Sequence, residues 1–255
     1  MKISALSSGS SGNCFYVSDK NNSVLIDCGI SCRQVLEKLS DLKQNPTNLK
    51  AIFVSHEHTD HIKGVDVLAR EFGIPVYATK GTYKNCFLCS DESLIQEIKE
   101  DETIKIGNME ISSFLKSHDA ASPVSFNIKN GKQISIITDI GYACKSVCEN
   151  VSDSDFLVLE SNHDISMLES GPYPYFLKKR IASNLGHLSN LHSGLCVLEH
   201  GTKKLKNIVL AHLSAVNNTS SLALSNFRNL IKERKDMKPK IFVSERGKHT
   251  PIFDI

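Results

Sequence analysis

Apolar residues recur along this chain at two periods. Short runs rich in Val, Ile, Leu and Phe, bounded by Gly, Asn, Asp or Ser, predict strands at Lys2–Leu6, Cys14–Ser18, Ser23–Asp27, Ala51–Ser55, Pro75–Ala78, Glu110–Leu115, Ser125–Ile128, Gln133–Thr138, Phe156–Glu160, Asn207–Leu210 and Lys240–Ser244. Segments with apolar residues three and four apart predict helices over Ser31–Ser40, His61–Phe72, Ser90–Ile98, Tyr142–Asn150, Pro174–Asn184, Ser189–Glu199 and Thr219–Arg234.

The first three strands follow one another at hairpin distance, and the later ones alternate with helices. That mixture predicts an α/β (α+β) protein with two mixed β-sheets, each covered by helices on its outer side. A doubly wound nucleotide fold fits less well. The glycine-rich loop Ser8-Gly-Ser-Ser-Gly-Asn13 joins strand to strand and lacks both the GxGxxG order and a following helix. No repeat or Pro/Gly/Ser linker divides the chain, so residues 1–255 are expected to form a single domain.

Composition narrows the class only a little. The 255 residues are 40% hydrophobic and 23% charged, ordinary for a soluble protein, and carry a formal charge of +2. That charge neither favours nor excludes a nucleic-acid partner, because local patches matter more than the sum. Met1–Gly12 has no apolar segment of a signal peptide, and no run approaches the roughly 18 apolar residues of a membrane span. A cytoplasmic protein without membrane contact is therefore expected, with its eight cysteines as reduced thiols. Cys86-Phe-Leu-Cys89 has half the spacing of a zinc knuckle, but no second CxxC pairs with it.

The chemistry concentrates in Ser55-His56-Glu57-His58-Thr59-Asp60-His61, between an apolar strand and a helix. On extended chain, residues two apart point the same way, so His56 and His58 can grip one cation. Asp60 and His61 lie past the turn and can face another. Imidazole suits zinc, manganese, iron or cobalt. A His-rich surface loop is the bland alternative, and four candidate ligands packed directly after a buried strand argue against it. One loop cannot fill two coordination spheres. His118, Asp139 and His212 each follow a predicted strand and supply candidates for the rest.

The HxHxDH motif at His56–His61, with Asp27 upstream and His118, Asp139 and His212 downstream, resembles the metallo-β-lactamase-fold hydrolase superfamily. Ser8–Asn13, Ser117-His-Asp-Ala-Ala121, Thr138-Asp-Ile-Gly-Tyr142, Glu160-Ser-Asn-His-Asp164, Gly171-Pro-Tyr-Pro174, Gly186-His-Leu-Ser-Asn190 and His212-Leu-Ser with Asn217-Asn218 resemble the YycJ/WalJ-type subfamily of cytosolic bacterial DNA exonucleases. The resemblance implies a four-layer αββα sandwich and two divalent metal ions, zinc or manganese. It implies that His56, His58 and His118 hold the first metal and Asp60, His61 and His212 the second. Asp139 would bridge them, and Asp27 would hold the motif loop by hydrogen bonds. A hydroxide between metals about 3.5–4 Å apart would attack phosphorus in a 5′-to-3′ exonuclease acting on DNA.

Around that core, Asp60 is expected at the substrate end of the cluster. His163 and His187 are candidates to contact a phosphate or protonate the leaving oxygen, and Asn162 is a weaker one. Ser10 and Asn13 belong to a loop whose backbone N–H groups can face a phosphate. Lys178-Lys179-Arg180, Lys203-Lys204 and Lys232–Lys240 become DNA tracks only if they line up beside the metal cleft. Two other readings compete: a thioesterase or lactamase-like hydrolase of a small molecule, and a non-catalytic metal-bound adaptor. The full ligand set speaks against the adaptor, and Asp139 in place of a Cys speaks against a lactamase.

Overall fold

The computed structural model describes residues 1–99 and 102–255. One sheet is built from β1 (Lys2–Ser7), β2 (Cys14–Asp19), β3 (Asn22–Ile26), β4 (Leu49–Phe53), β5 (Val76–Ala78), β6 (Ile95–Glu97) and β14 (Phe253–Asp254), in the order β14-β1-β2-β3-β4-β5-β6. The other holds β7 (Thr103–Ile106), β8 (Met109–Leu115), β9 (Val124–Asn130), β10 (Lys132–Ile137), β11 (Phe156–Glu160), β12 (Asn207–Ala211) and β13 (Lys240–Val243), in the order β13-β12-β11-β10-β9-β8-β7. Both are mixed. Strands β3 to β6 run parallel, as do β10 to β13; hairpins supply most antiparallel pairs, and β14 adds another by pairing with β1.

Period-two alternation assigns the two faces of each strand. Phe15, Val17 and Phe53 point inward and meet Ile111, Phe126, Ile134, Phe156 and Val158 of the second sheet. Tyr16, Leu25 and Ile52 point outward, under α1 (Cys32–Asp41) and α3 (Val65–Phe72), which contribute Val35, Leu39, Leu68 and Ala69. The far side of the second sheet packs Leu157, Leu159 and Leu210 against α5 (Lys145–Asp153), α8 (Asn190–His200) and α9 (Ser220–Ile231). The layers are therefore αββα, as expected. The central strands read as unbroken apolar runs because both faces are buried.

Several local expectations differ. The helix expected over Ser90–Ile98 is a 3-10 turn at Glu92–Leu94 followed by β6, which pairs in parallel with β5. Asp91 caps the turn by accepting from Ser93 N at 3.1 Å, and sheet pairing then outweighs the local apolar spacing. The helix expected over His61–Phe72 starts earlier and is broken into α2 (Thr59–Ile62) and α3. The break is at Gly64, whose N–H donates to Cys28 O at 2.8 Å. A Cβ there would sit 2.0 Å from Ile30 O, so the chain needs glycine to pass that close. Strands β6, β7 and β14 and the short helices α4 (Lys80–Lys84) and α6 (Ile165–Ser170) were not expected from the pattern. The helix expected over Pro174–Asn184 is the shorter α7 (Tyr175–Ile181).

Candidate metal centre

Every residue of the cluster sits at one edge of the sandwich, where β3, β4, β8, β10, β11 and β12 end. Asp27, Asp139 and His212 each adopt the left-handed backbone conformation, with φ of 60°, 56° and 54°. For residues with a Cβ this costs about 1–3 kcal/mol each. The rest of the fold holds them there, and the turn aims all three side chains at the same place.

Asp27 organises the motif loop. Its Oδ1 accepts from Ser55 N at 2.7 Å and its Oδ2 from Ser55 Oγ at 2.9 Å. The same Oδ2 lies 2.7 Å from His61 Nδ1. That bond leaves His61 Nε2 to face the cluster, 3.2 Å from Asp139 Oδ2. The neighbouring turn is equally tight. Asn13 N donates to Asp60 O at 2.7 Å, and Cys28 N donates to His61 O at 2.8 Å.

Four groups of ligand atoms converge among the described residues, each with its atoms within 4.8 Å of one another: His56, His58 and His118; Asp60, His61 and His212; His56, His61 and Asp139; and Asp139, Glu160, His187 and His212. The first two bring together the residues that the resemblance divides between two metals, and the third joins His56 and His61 with Asp139. His118 Nδ1 contacts Gly186 O at 3.1 Å and His212 Nδ1 contacts Glu160 Oε1 at 2.8 Å. Their Nε2 atoms, like Asp139 Oδ2, are buried with no hydrogen-bond partner. Buried polar atoms are seldom left so. Orphaned polar atoms at three strand ends, shared among adjoining ligand groups, are the donor set that imidazole- and carboxylate-binding cations require.

The electrostatics agree. Burial pushes the His56 imidazole well below its usual range, and pushes His118 down to about 4, which keeps both neutral. Burial acts the same way on His61, but Asp27 and Asp139 outweigh it and lift that ring to about 10. His212 is likewise raised against burial, by Asp139, Asp60 and Glu160. Burial would raise Asp139, yet His212, His61 and Lys116 hold it well below the carboxylate range. The carboxylates thus draw protons onto the rings where cations would bind.

Other expected site residues fall in different places. Asn13 is fully buried, with its side chain turned toward the cluster. Its Oδ1 accepts from Gly9 N at 2.9 Å, and its Nδ2 lies 3.2 Å from Asp60 Oδ2 and 3.0 Å from His61 Nε2. Ser10 lines a cleft of about 190 Å³ beside His212, with Asn162, His187 and Arg180. Asn162 Nδ2 donates to His212 O at 2.8 Å, so it also braces a candidate ligand. His187 Nδ1 lies 2.8 Å from Glu160 Oε1 and 3.7 Å from Asp139 Oδ1. His163 does not join the cleft and lines a neighbouring cavity instead. Glu160 went unrecognised in the sequence. It is fully buried, holds both His187 and His212, and accepts Ile140 N and Leu188 N at 2.9 and 3.1 Å.

Of the basic runs, only the first reaches the cleft: Arg180 lines it and pairs with Asp119. Lys203–Lys206 and Lys235–Lys240 come together at the starts of β12 and β13, the opposite end of those strands from His212. All eight cysteines are free, and among the described residues Cys86 and Cys89 join no metal-type cluster.

Comparison with known proteins gives the same picture. Residues 22–207 match the model of the beta-lactamase superfamily domain. Exodeoxyribonuclease WalJ of Streptococcus pneumoniae is 38% identical over 228 residues, covering 87% of this chain and 85% of its own. Exodeoxyribonuclease YycJ of Bacillus anthracis is 35% identical over 243 residues, covering 92% and 90%. The crystal structure of the metallo-beta-lactamase fold protein YhfI from Bacillus subtilis superposes with a TM-score of 0.72 at 17% identity, covering 98% of each chain.

Proposed function

The chain belongs to the beta-lactamase superfamily, and on that premise we propose that it is a metal-dependent phosphodiesterase, a DNA exonuclease working in the 5′-to-3′ direction. The observation that carries this is the pair of ligand groups, His56/His58/His118 and Asp60/His61/His212, with Asp139 between them. Seven ligands exceed what one ion takes at usual coordination numbers, so we assign two divalent cations, zinc or manganese. Once bound, such ions lower the pKa of a water and offset charge on the phosphoryl oxygens. Among the described residues no helix is long and apolar enough to cross a membrane.

The chain's own groups suit a phosphodiester. Arg180 at the cleft offers charge to a phosphate. Glu160 engages His187 Nδ1, which leaves His187 Nε2 as the ring nitrogen available to a phosphate or a leaving oxygen. Helix α7 carries the rest of the argument for a polymer. Its Leu177, Arg180 and Ile181 line the cleft, while Tyr175 and Phe176 are 71% and 74% exposed. Lys179 Nζ lies 4.9 Å from the centre of the Tyr175 ring. Exposed aromatics interleaved with cations are how sequence-tolerant proteins hold single strands.

The test incubates metal-defined protein with end-labelled linear DNA, closed circular DNA of the same sequence, RNA, a thioester and a β-lactam. Release of nucleotides from the 5′ end of linear DNA is expected. Equal cutting of the circle would make it an endonuclease. Thioester hydrolysis without DNA cleavage would move it to the small-molecule hydrolases.

A further inference from the structure

Beside the metal cleft lies a second cavity of about 570 Å³, inside the roughly 300–1,000 Å³ range of ligand pockets. His187 lines both, so the two adjoin at one imidazole. The wall of the second cavity is largely apolar, with Ile165 and Leu168 from α6, Leu188, and Leu195 from α8. Tyr142 also lines it and is 45% exposed, which places an aromatic ring at its rim.

The polar groups are selective. His163 lines the cavity, is 3% exposed, and has a buried Nδ1 with no hydrogen-bond partner. Among the described residues no Lys or Arg lines it; Glu169 and Glu199 do, with His192 and His200 on the same wall. A phosphate would meet carboxylates there without a compensating cation. A neutral, flat heteroaromatic ring meets apolar faces and a tyrosine, with Asn184, Ser189 and the imidazoles of the wall as polar partners for its edge. The charge pattern thus separates the two spaces: the cleft, where Arg180 pairs with Asp119 beside the candidate metal ligands, suits a phosphate, and the cavity suits what hangs from it.

We propose that this cavity is a nucleobase subsite, taking the base of the nucleotide whose phosphate lies against the metal ligands. The inference rests on the nuclease reading above, and it assigns His163 to the base and not to the reacting phosphate.

Two measurements test it. The first compares single-stranded DNA with the same strand made abasic at the 5′-terminal nucleotide or, separately, at the next one. Loss of the seated base should slow wild-type cleavage by roughly tenfold, the scale of one lost stacking contact. Leu195→Trp, which fills the cavity, and Tyr142→Ala, which removes only an exposed ring, should slow the intact strand and leave the abasic one unchanged. The second uses metal-free protein and deoxyadenosine, which has no phosphate, read by saturation-transfer NMR. Signal in the wild type that is lost in folded Leu195→Trp is expected.

Equal cleavage of intact and abasic strands at both positions overturns the proposal. So does deoxyadenosine binding that is the same in wild type and Leu195→Trp, or absent from both. A protein that cuts no DNA but binds deoxyadenosine in a Leu195-dependent way would end the nuclease reading and keep the cavity as a nucleoside site.

Discussion

Glu160 Oε1 lies 2.8 Å from His212 Nδ1, so a fully buried carboxylate fixes which face of that imidazole looks into the metal centre. Its other oxygen is held by Ile140 N and Leu188 N, which leaves the carboxylate no freedom to turn. Glu160→Gln removes the charge and sets an amide N–H against these donors. Metal affinity at the Asp60/His61/His212 group should fall about 10–100-fold, the usual cost of losing a partner that orients a ligand. Chelator competition on the purified variant reads this directly. An unchanged affinity would make Glu160 a purely structural acid.

Asp60→Ala should abolish DNA hydrolysis while leaving the fold intact. The Asp60 side chain is 26% exposed, and its Oδ2 lies 3.7 Å from His212 Nε2, so it is a member of the cluster and not of the core. Loss of a metal-centre group of this kind costs on the order of 100-fold or more in turnover. Circular dichroism paired with an activity assay checks both halves. Turnover within about tenfold of wild type would remove Asp60 from the mechanism.

Those two residues mark the border of what the sequence makes legible. His56, His58, Asp60 and His61 can be read because they are contiguous and follow a buried strand, so local periodicity alone aims them. His118, Asp139 and His212 can be read because each follows an apolar run. Glu160 also ends an apolar run, at Phe156-Leu-Val-Leu-Glu160, and that placement was the available signal. Nothing local says that its partners lie 27 and 52 residues away. Asn13 misleads for a related reason. A Gly/Ser/Asn hairpin reads as exposed, but Gly29 and Asp60 pack against it and turn its amide inward. The helix expected at Ser90–Ile98 failed because pairing of Ile95 with Val76 is decided by the sheet, not by neighbours in sequence.

Gly29→Ala should disable the centre without touching a ligand. A Cβ on Gly29 would fall 1.7 Å from Asp60 O and 2.7 Å from Asn13 N, both backbone atoms that cannot swing away. The turn carrying Asp60 must shift, at a cost of roughly 1–3 kcal/mol for overpacking. A lowered thermal midpoint together with weaker metal binding is expected. Wild-type values for both would show that the loop is looser than its contacts imply.

Metal-free protein should be most stable near the ordinary histidine pKa and weaken on either side. His61 is raised from 6.5 to about 10, so the stability tied to its proton is complete below about 6.5 and is lost as pH rises through about 10. His118 is depressed from 6.5 to about 4, so the stability tied to its neutral ring is present above about 6.5 and is lost as pH falls through about 4. Bound cations replace the protons on His61 and His212 and should flatten the alkaline decline, with release of about two protons per chain near neutral pH. Thermal melts with chelator and with metal across pH 5 to 10, and calorimetry in buffers of different ionisation enthalpy, read the two effects. A metal-free stability that keeps rising above pH 8 would contradict the sign.

Phe176→Ala and Lys179→Ala should weaken single-stranded DNA binding in different ways. Phe176 is 74% exposed, so its truncation should change stability by less than about 0.5 kcal/mol. Loss of a stacked base would nonetheless weaken binding by roughly tenfold. That loss comes from ring contact and displaces no counterion, so the slope of log affinity against log salt should stay as in the wild type. Lys179 sits on the same helix, beside Tyr175, and offers charge to the backbone. Its removal should reduce the magnitude of the salt slope by about 0.7, the value for one phosphate contact on a single strand. Titrations of fluorescent single-stranded DNA into metal-free protein at several salt concentrations separate the two. Binding untouched by either change would take α7 out of the DNA path and leave its exposed rings to be explained by another partner.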